Sequence, residues 1–120
     1  MLKIGIVNDS LMAAECLRRV VNRVAAYQLL WVAYNGHEAL RYCRQNCPDV
    51  ILMDLIMPEM DGFEACRNLR DDPATKDIPV IFVTSKHQKA DRVWAQMQGA
   101  KDFISKPYTA TQIIDKLGTA

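Results

Sequence analysis

Asp49-Val50-Ile51-Leu52-Met53-Asp54 is the stretch on which the fold turns. Its four central residues are apolar without a polar interruption, so they do not describe a strand with one wet face. They describe a strand covered by helices on both sides. Val80-Ile81-Phe82-Val83 repeats the pattern, and these two runs are predicted to be central strands. Working outward, further short runs lie at Lys3 to Val7, Leu30 to Tyr34 and Asp102 to Ile104, and each of the five is followed by a helix-compatible stretch. That alternation predicts an α/β fold built on a parallel sheet.

The intervening segments read as amphipathic helices. Leu11 to Ala26 carries apolar residues at 13, 17, 20 and 24, with Ser10 as N-cap. Gly36 begins a second helix, through Ala39, Leu40, Cys43 and Cys47, which Pro48 closes. Gly62 to Arg70, Gln88 to Gln98 (ended by Gly99) and Thr109 to Leu117 supply three more. Residues 71–79, with two prolines among polar residues, read as a surface loop.

A chain of 120 residues, half of them apolar, suits one domain with a real core, here residues 1–120. Fifteen Lys and Arg against fourteen Asp and Glu leave a net charge of +1, which gives no global field for nucleic acid or an anionic membrane. Apolar runs of about five residues fall far short of the roughly 20 that cross a bilayer. The N-terminus lacks a signal-peptide core, so a cytoplasmic location is expected. Cys16, Cys43, Cys47 and Cys66 form no C-x-x-C pair and have no histidine at zinc spacing; they read as reduced and mostly buried.

In open parallel sheets, ligands gather beyond the carboxyl ends of the strands. There the first run delivers Asn8-Asp9, the third Asp54, the fourth Thr84-Ser85 and the fifth Ser105-Lys106-Pro107. The second delivers only Asn35-Gly36, a turn signal, and is placed at an edge. A carboxylate such as Asp54 can attack phosphorus once the incoming charge is neutralised, because phosphoryl transfer is mainly a matter of positioning and electrostatics. Asp9 and Asp54 offer the one or two carboxylates that Mg²⁺ usually takes, and Lys106 can bring an ammonium to a phosphate.

These motifs, in order, resemble the receiver domain of two-component response regulators across essentially the whole chain. The resemblance rests on Ile4-Gly5-Ile6-Val7-Asn8-Asp9, Asp49 to Asp54, Met57-Pro58-Glu59-Met60-Asp61-Gly62, Val83-Thr84-Ser85 and Lys106-Pro107. The first half is similar to receivers of chemotaxis methylesterases, the second to single-domain receivers of chemotaxis and twitching systems. The resemblance implies a flavodoxin-like, doubly wound sheet of strand order 2-1-3-4-5 with five helices. It implies Asp54 as phosphoacceptor, and Mg²⁺ held by Asp9, Asp54, the Ile56 carbonyl and, through water, Asn8. It also implies a cis bond before Pro107, Lys106 beside the phosphate, Thr84 donating to a phosphoryl oxygen, and Phe103 as the aromatic that turns inward with Thr84.

Most receivers carry two adjacent acids where Asn8-Asp9 stands, so weaker Mg²⁺ binding is expected here. Ile56 and Lys86 fall where the family flanks the path of hydrolytic water; an apolar Ile56 cannot orient it, and slow self-dephosphorylation is expected. Plainer readings compete at each position: Asp9 as a helix cap in place of Ser10, Thr84 as a cap, Lys106 as a solvated lysine, Phe103 as core. Met57, Met60 and Gly62 read as structural, His37 and His87 as surface residues, Trp31 as packing, Trp94 as core or docking surface. Lys86, Lys89, Arg92 and Lys101 give the fourth helix a basic cast, either a solvated face or a partner surface.

By resemblance, the partners are a histidine kinase and either a downstream target or an output domain, with no nucleic acid or membrane bound by this domain. An inert interaction module on the same fold is the alternative. A nucleotide or flavin protein is disfavoured, since the first strand ends in Asn8-Asp9-Ser10-Leu11, with no glycine-rich loop.

Overall fold

The structure, a computed structural model, describes residues 1–85 and 88–120. Five strands, β1 (Leu2–Val7), β2 (Tyr27–Ala33), β3 (Val50–Met53), β4 (Val80–Thr84) and β5 (Asp102–Ser105), alternate with five helices. The helices are α1 (Leu11–Asn22), α2 (Gly36–Gln45), α3 (Gly62–Asp71), α4 (Lys89–Met97) and α5 (Ala110–Gly118). All strand pairs are parallel, in the order β2-β1-β3-β4-β5, the doubly wound arrangement that the family resemblance implies.

Strand alternation divides the core into two layers. Ile4, Ile6, Val50, Leu52, Ile81, Val83 and Ile104 pack on one face against α1 and α5. Val7, Ile51, Met53, Val80 and Phe82 pack on the other against α2, α3 and α4. β3 and β4 are buried at every residue, as their uninterrupted apolar runs require.

The second strand begins earlier than its sequence pattern suggests, at Tyr27 rather than Leu30, and ends at Ala33 rather than Tyr34. The cause is a register shift against β1: Ile4 pairs with Leu29 but Gly5 with Trp31, which leaves Leu30 as an extra residue and breaks the two-residue period. A side chain at Gly5 could not be accommodated, because a Cβ there would lie 2.6 to 2.9 Å from the Trp31 ring. Trp31 is packing, as read; its indole donates to the Asn46 carbonyl at 3.0 Å and its ring meets Tyr42 at 5.7 Å.

The first helix is correspondingly shorter than the predicted Leu11 to Ala26. It stops at Asn22, and its buried stripe is Ala14, Leu17, Val20 and Val21. Val24 continues the helical spacing but lies in a turn, where its carbonyl accepts from Tyr27 N–H at 3.0 Å. Ser10 is the N-cap, its Oγ accepting from Ala13 N–H at 3.2 Å, so Asp9 does not cap the helix.

The cysteines correct the expectation of general burial. Cys43 and Cys66 are buried, while Cys16 and Cys47 are exposed. α2 ends at Gln45, two residues short of Cys47, and Cys16 opens onto a groove between α1 and the start of α5. All four are free thiols. Burial, reinforced by the neighbouring Cys47, pushes the Cys43 thiol up to about 12, and burial also raises that of Cys66.

The polar segment after α3 is a surface loop, as read, and it is anchored to that helix. Thr75 is buried and its hydroxyl donates to the Leu69 carbonyl at 2.7 Å. Arg70 donates to the carbonyls of Lys76 and Ile78. His37 is exposed, as read, whereas His87 lies outside the described residues.

Two outcomes follow from this packing. A Cβ at Gly62 would sit 2.4 Å from the Asp54 carbonyl oxygen and 2.9 Å from Leu55 Cα, backbone atoms that cannot move aside freely. Gly62→Ala is therefore expected to cost about 1–3 kcal/mol in urea unfolding; unchanged stability would show that the loop relaxes. With iodoacetamide at mildly alkaline pH, Cys16 and Cys47 are expected to react in the native protein, and Cys43 and Cys66 only once it unfolds, as peptide mapping would reveal.

Candidate functional site

The carboxyl ends of β1, β3, β4 and β5 converge as the strand pattern requires. Val7 pairs with Met53, so the next step along the ladder brings Asn8 beside Asp54, and the Asp54 N–H still bonds the Val7 carbonyl at 3.0 Å. Asn8 continues the phase of Ile4 and Ile6, Asp54 that of Val50 and Leu52, and Lys106 that of Ile104, all on the α1–α5 face. Thr84 continues the phase of Phe82, on the face against which Phe103 packs.

Asp54 is nearly buried, its side chain 12% exposed, and Lys106 Nζ stands 3.6 Å from its Oδ2. The other carboxylate oxygen accepts from Ile56 N–H at 3.4 Å. Lys106 is positioned by its own backbone, whose N–H bonds the Thr84 carbonyl at 2.9 Å, and the Lys106–Pro107 peptide bond is cis. Thr84 is fully buried. Asp9, the residue after Asn8, is exposed, and Asn8 is completely buried.

The loop from Leu55 to Asp61 wraps the acceptor. Leu55, Met57 and Met60 are buried in the core, which bears out the structural reading of the methionines, while Ile56 is 59% exposed. Glu59 takes a left-handed φ of 66°, closing a γ-turn in which Met60 N–H bonds the Pro58 carbonyl at 2.8 Å. Asp61 then caps α3, its Oδ1 accepting from Glu64 N–H at 2.8 Å.

The donor set fits a hard cation of the Mg²⁺ type. No group of three or more His, Cys, Asp or Glu side chains among the described residues could cage a metal. Mg²⁺ needs no such cage, because it keeps several waters and takes one or two carboxylates. Asp9 and Asp54 can supply these, with the Ile56 carbonyl nearby in the acceptor loop.

Phe103 is partly exposed and tilts against Phe82 at 6.4 Å. Sequence reading missed what covers it: the Arg92 guanidinium lies 5.3 Å from its ring centroid and donates to Ser105 Oγ at 2.9 Å. Arg92 thus ties α4 to β5. No local pattern announces that contact, since it joins residues on separate elements. Trp94 is half exposed and meets Phe63 edge-on, so it is neither fully core nor free. Lys86 lies outside the described residues.

The larger concavities lie beside the acidic site. One groove of about 550 Å³ runs between Arg92, Phe103, Ser105, Pro107, Gln112 and Lys116, and another of about 570 Å³ between α1 and the start of α5. Neither is lined by Asp54. No helix among the described residues is long and apolar enough to cross a membrane.

Residues 4–118 match the family described as response regulator receiver domain. Over 108 residues the chain is 46% identical to protein-glutamate methylesterase/protein-glutamine glutaminase 1 of Pseudomonas fluorescens, covering 88% of this chain but 31% of that protein. It is 49% identical over 75 residues to protein PilH of Pseudomonas aeruginosa, 62% of each chain. The chain thus spans less than a third of the methylesterase's length. Among solved structures, the response regulator domain of Thermotoga maritima CheB superposes with a TM-score of 0.91 at 27% identity, over 100% of this chain and 96% of that one. Vibrio cholerae chemotaxis protein CheY4 gives 0.91 at 26% identity, over 99% and 98%. With the sheet order and the strand-end residues already in place, the chain belongs to the response regulator receiver domain family, a signalling domain of two-component systems.

Proposed function

We propose that the chain accepts a phosphoryl group on Asp54 from a phosphohistidine of a partner histidine kinase, with Mg²⁺ bound. The α4–β5–α5 face then reports the change to a downstream protein or an output domain. The observation that carries this reading is the nearly buried Asp54 carboxylate with Lys106 Nζ 3.6 Å away, at the strand ends that also hold Asp9 and Thr84. An inert interaction module has no need to place an acid and a base across an intervening strand. A donor delivered by another protein also suits an acceptor that sits outside the larger grooves.

In the transfer, an Asp54 oxygen attacks phosphorus as the P–N bond breaks, and the imidazole leaves with that electron pair, neutral because its second nitrogen keeps a proton. Mg²⁺, held by Asp9, Asp54 and the Ile56 carbonyl, would offset the negative charge that the incoming oxygens bring. Lys106 is already paired with Asp54 and can follow the charge outward onto the phosphoryl oxygens. Thr84 donates its hydroxyl to one of those oxygens after transfer, and Phe103 turns inward behind it. The phosphoryl group carries about −1.5 to −2 charge where the carboxylate carried one, enough to bias a two-state element. The exposed, apolar Ile56 offers no group to orient water, so the acyl phosphate is long-lived. A cytoplasmic location is part of the same reading.

Acetyl phosphate with Mg²⁺ is expected to add the mass of one phosphoryl group to the protein, and chelation of the metal to prevent it. Asp54→Ala should abolish the increment and Lys106→Ala should slow it about a hundredfold; undiminished labelling of the Asp54 variant would overturn the proposal. Arg92→Ala removes a contact worth about 0.5–1 kcal/mol. It should move the unphosphorylated Phe103 ring toward its inward position, as aromatic carbon shifts would report. An unmoved ring would show that Arg92 does not hold it.

A further inference from the structure

The amide of Asn8 is oriented by its neighbour. Ser10 N–H lies 2.9 Å from Asn8 Oδ1, and because a backbone N–H only donates, the atom facing it must be the oxygen. The other end, Nδ2, is buried and has no hydrogen-bond partner among the described residues. Buried donors are nearly always satisfied, and one that is not points to a water, an ion or a reacting group.

The turn itself does not explain the residue. An aspartate at this position would accept from Ser10 N–H equally well. What the amide adds over a carboxylate is a donor in place of charge, and it is that donor which the protein leaves unpaired. The β1–β3 register sets Asn8 beside Asp54 on the same face of the sheet. Asp54 has one oxygen toward Ile56 N–H and the other toward Lys106, at 3.4 and 3.6 Å, both long contacts. A carboxylate so loosely held, or a phosphoryl group built on it, has acceptor capacity to spare.

Resting on Asp54 as the phosphoacceptor, we infer that Asn8 Nδ2, unpaired in the resting protein, becomes a hydrogen-bond donor to an oxygen of the phosphoryl group built on Asp54. A metal-bound water presents its protons outward and needs an acceptor, whereas the wholly unengaged end of this amide is the donor; Oδ1 already has one of its two lone pairs on Ser10 N–H. The substitution of amide for acid therefore trades a share of metal binding for direct recognition of the transferred group. Asn8 becomes a fourth anion-stabilising group beside Lys106, Thr84 and the Ile56 N–H.

The test uses the whole chain, with Mg²⁺ alone and with beryllofluoride, a phosphoryl mimic, at saturating Mg²⁺. In the unmodified protein, the Asn8 side-chain NH₂ resonances are expected to shift on adding beryllofluoride beyond any change that saturating Mg²⁺ alone produces. They should also show ¹⁹F–¹H Overhauser contacts to the bound fluorines. Asn8→Ala should change the Mg²⁺ Kd by less than about twofold while weakening beryllofluoride about tenfold. Because alanine also loses the Ser10 contact, the wild-type resonances give a reading that needs no variant. If beryllofluoride adds no shift to that of Mg²⁺ and no fluorine contact appears, the amide does not meet the phosphoryl group and the inference fails. If the unmodified protein takes up no beryllofluoride with Mg²⁺, the phosphoacceptor reading itself fails.

Discussion

Burial of the central strands on both faces is the constraint from which the rest of the molecule follows. β3 and β4 are closed off by helices above and below, so no charged side chain can leave the sheet sideways without losing its water. Polar residues are confined to the strand ends, and a parallel sheet brings all the carboxyl ends to one edge. Asn8, Asp54, Thr84 and Lys106 all lie along that edge although the first and last are 98 residues apart in the sequence. The chemistry is a by-product of where a two-sided core permits polarity.

Within that edge, the Asp54–Lys106 pair is balanced. At 12% and 29% exposure, neither side chain is fully stripped of water, so the pair avoids the full desolvation penalty of a buried bridge. The 3.6 Å separation also leaves the lysine free to move with the charge. Gly62 shapes the other side of the pocket: its missing side chain lets α3 begin directly against the Asp54 backbone, and its N–H bonds the Leu55 carbonyl at 2.8 Å. The acceptor is thus fixed by main chain on one side and faced by a mobile cation on the other.

Much of this was legible in the sequence, for reasons particular residues make plain. Val50 to Met53 and Val80 to Val83 announced a doubly covered sheet, and what followed each strand announced the site residues. The second strand was blurred because the extra residue at Leu30 breaks the two-residue period, and α1 was overextended because Val24 keeps helical spacing while lying in a turn. The cysteines misled because composition speaks of average burial and not of which helix face a residue occupies. Arg92 over Phe103, Arg70 binding the loop carbonyls and the orientation of the Asn8 amide are side-chain contacts between elements or across turns, which no periodicity encodes.

α4 is the most lightly moored of the five helices. It buries only Asp91 and Ala95, and it leaves Val93, Trp94 and Met97 substantially in solvent. A segment with so little apolar surface withdrawn from water sits near the bottom of the molecule's ladder of local stabilities, and its amide protons belong among the first to exchange. Small rearrangements at the sheet edge need not melt the hydrophobic layers to be felt by α4. They have only to outweigh one helix that the remainder of the fold scarcely grips.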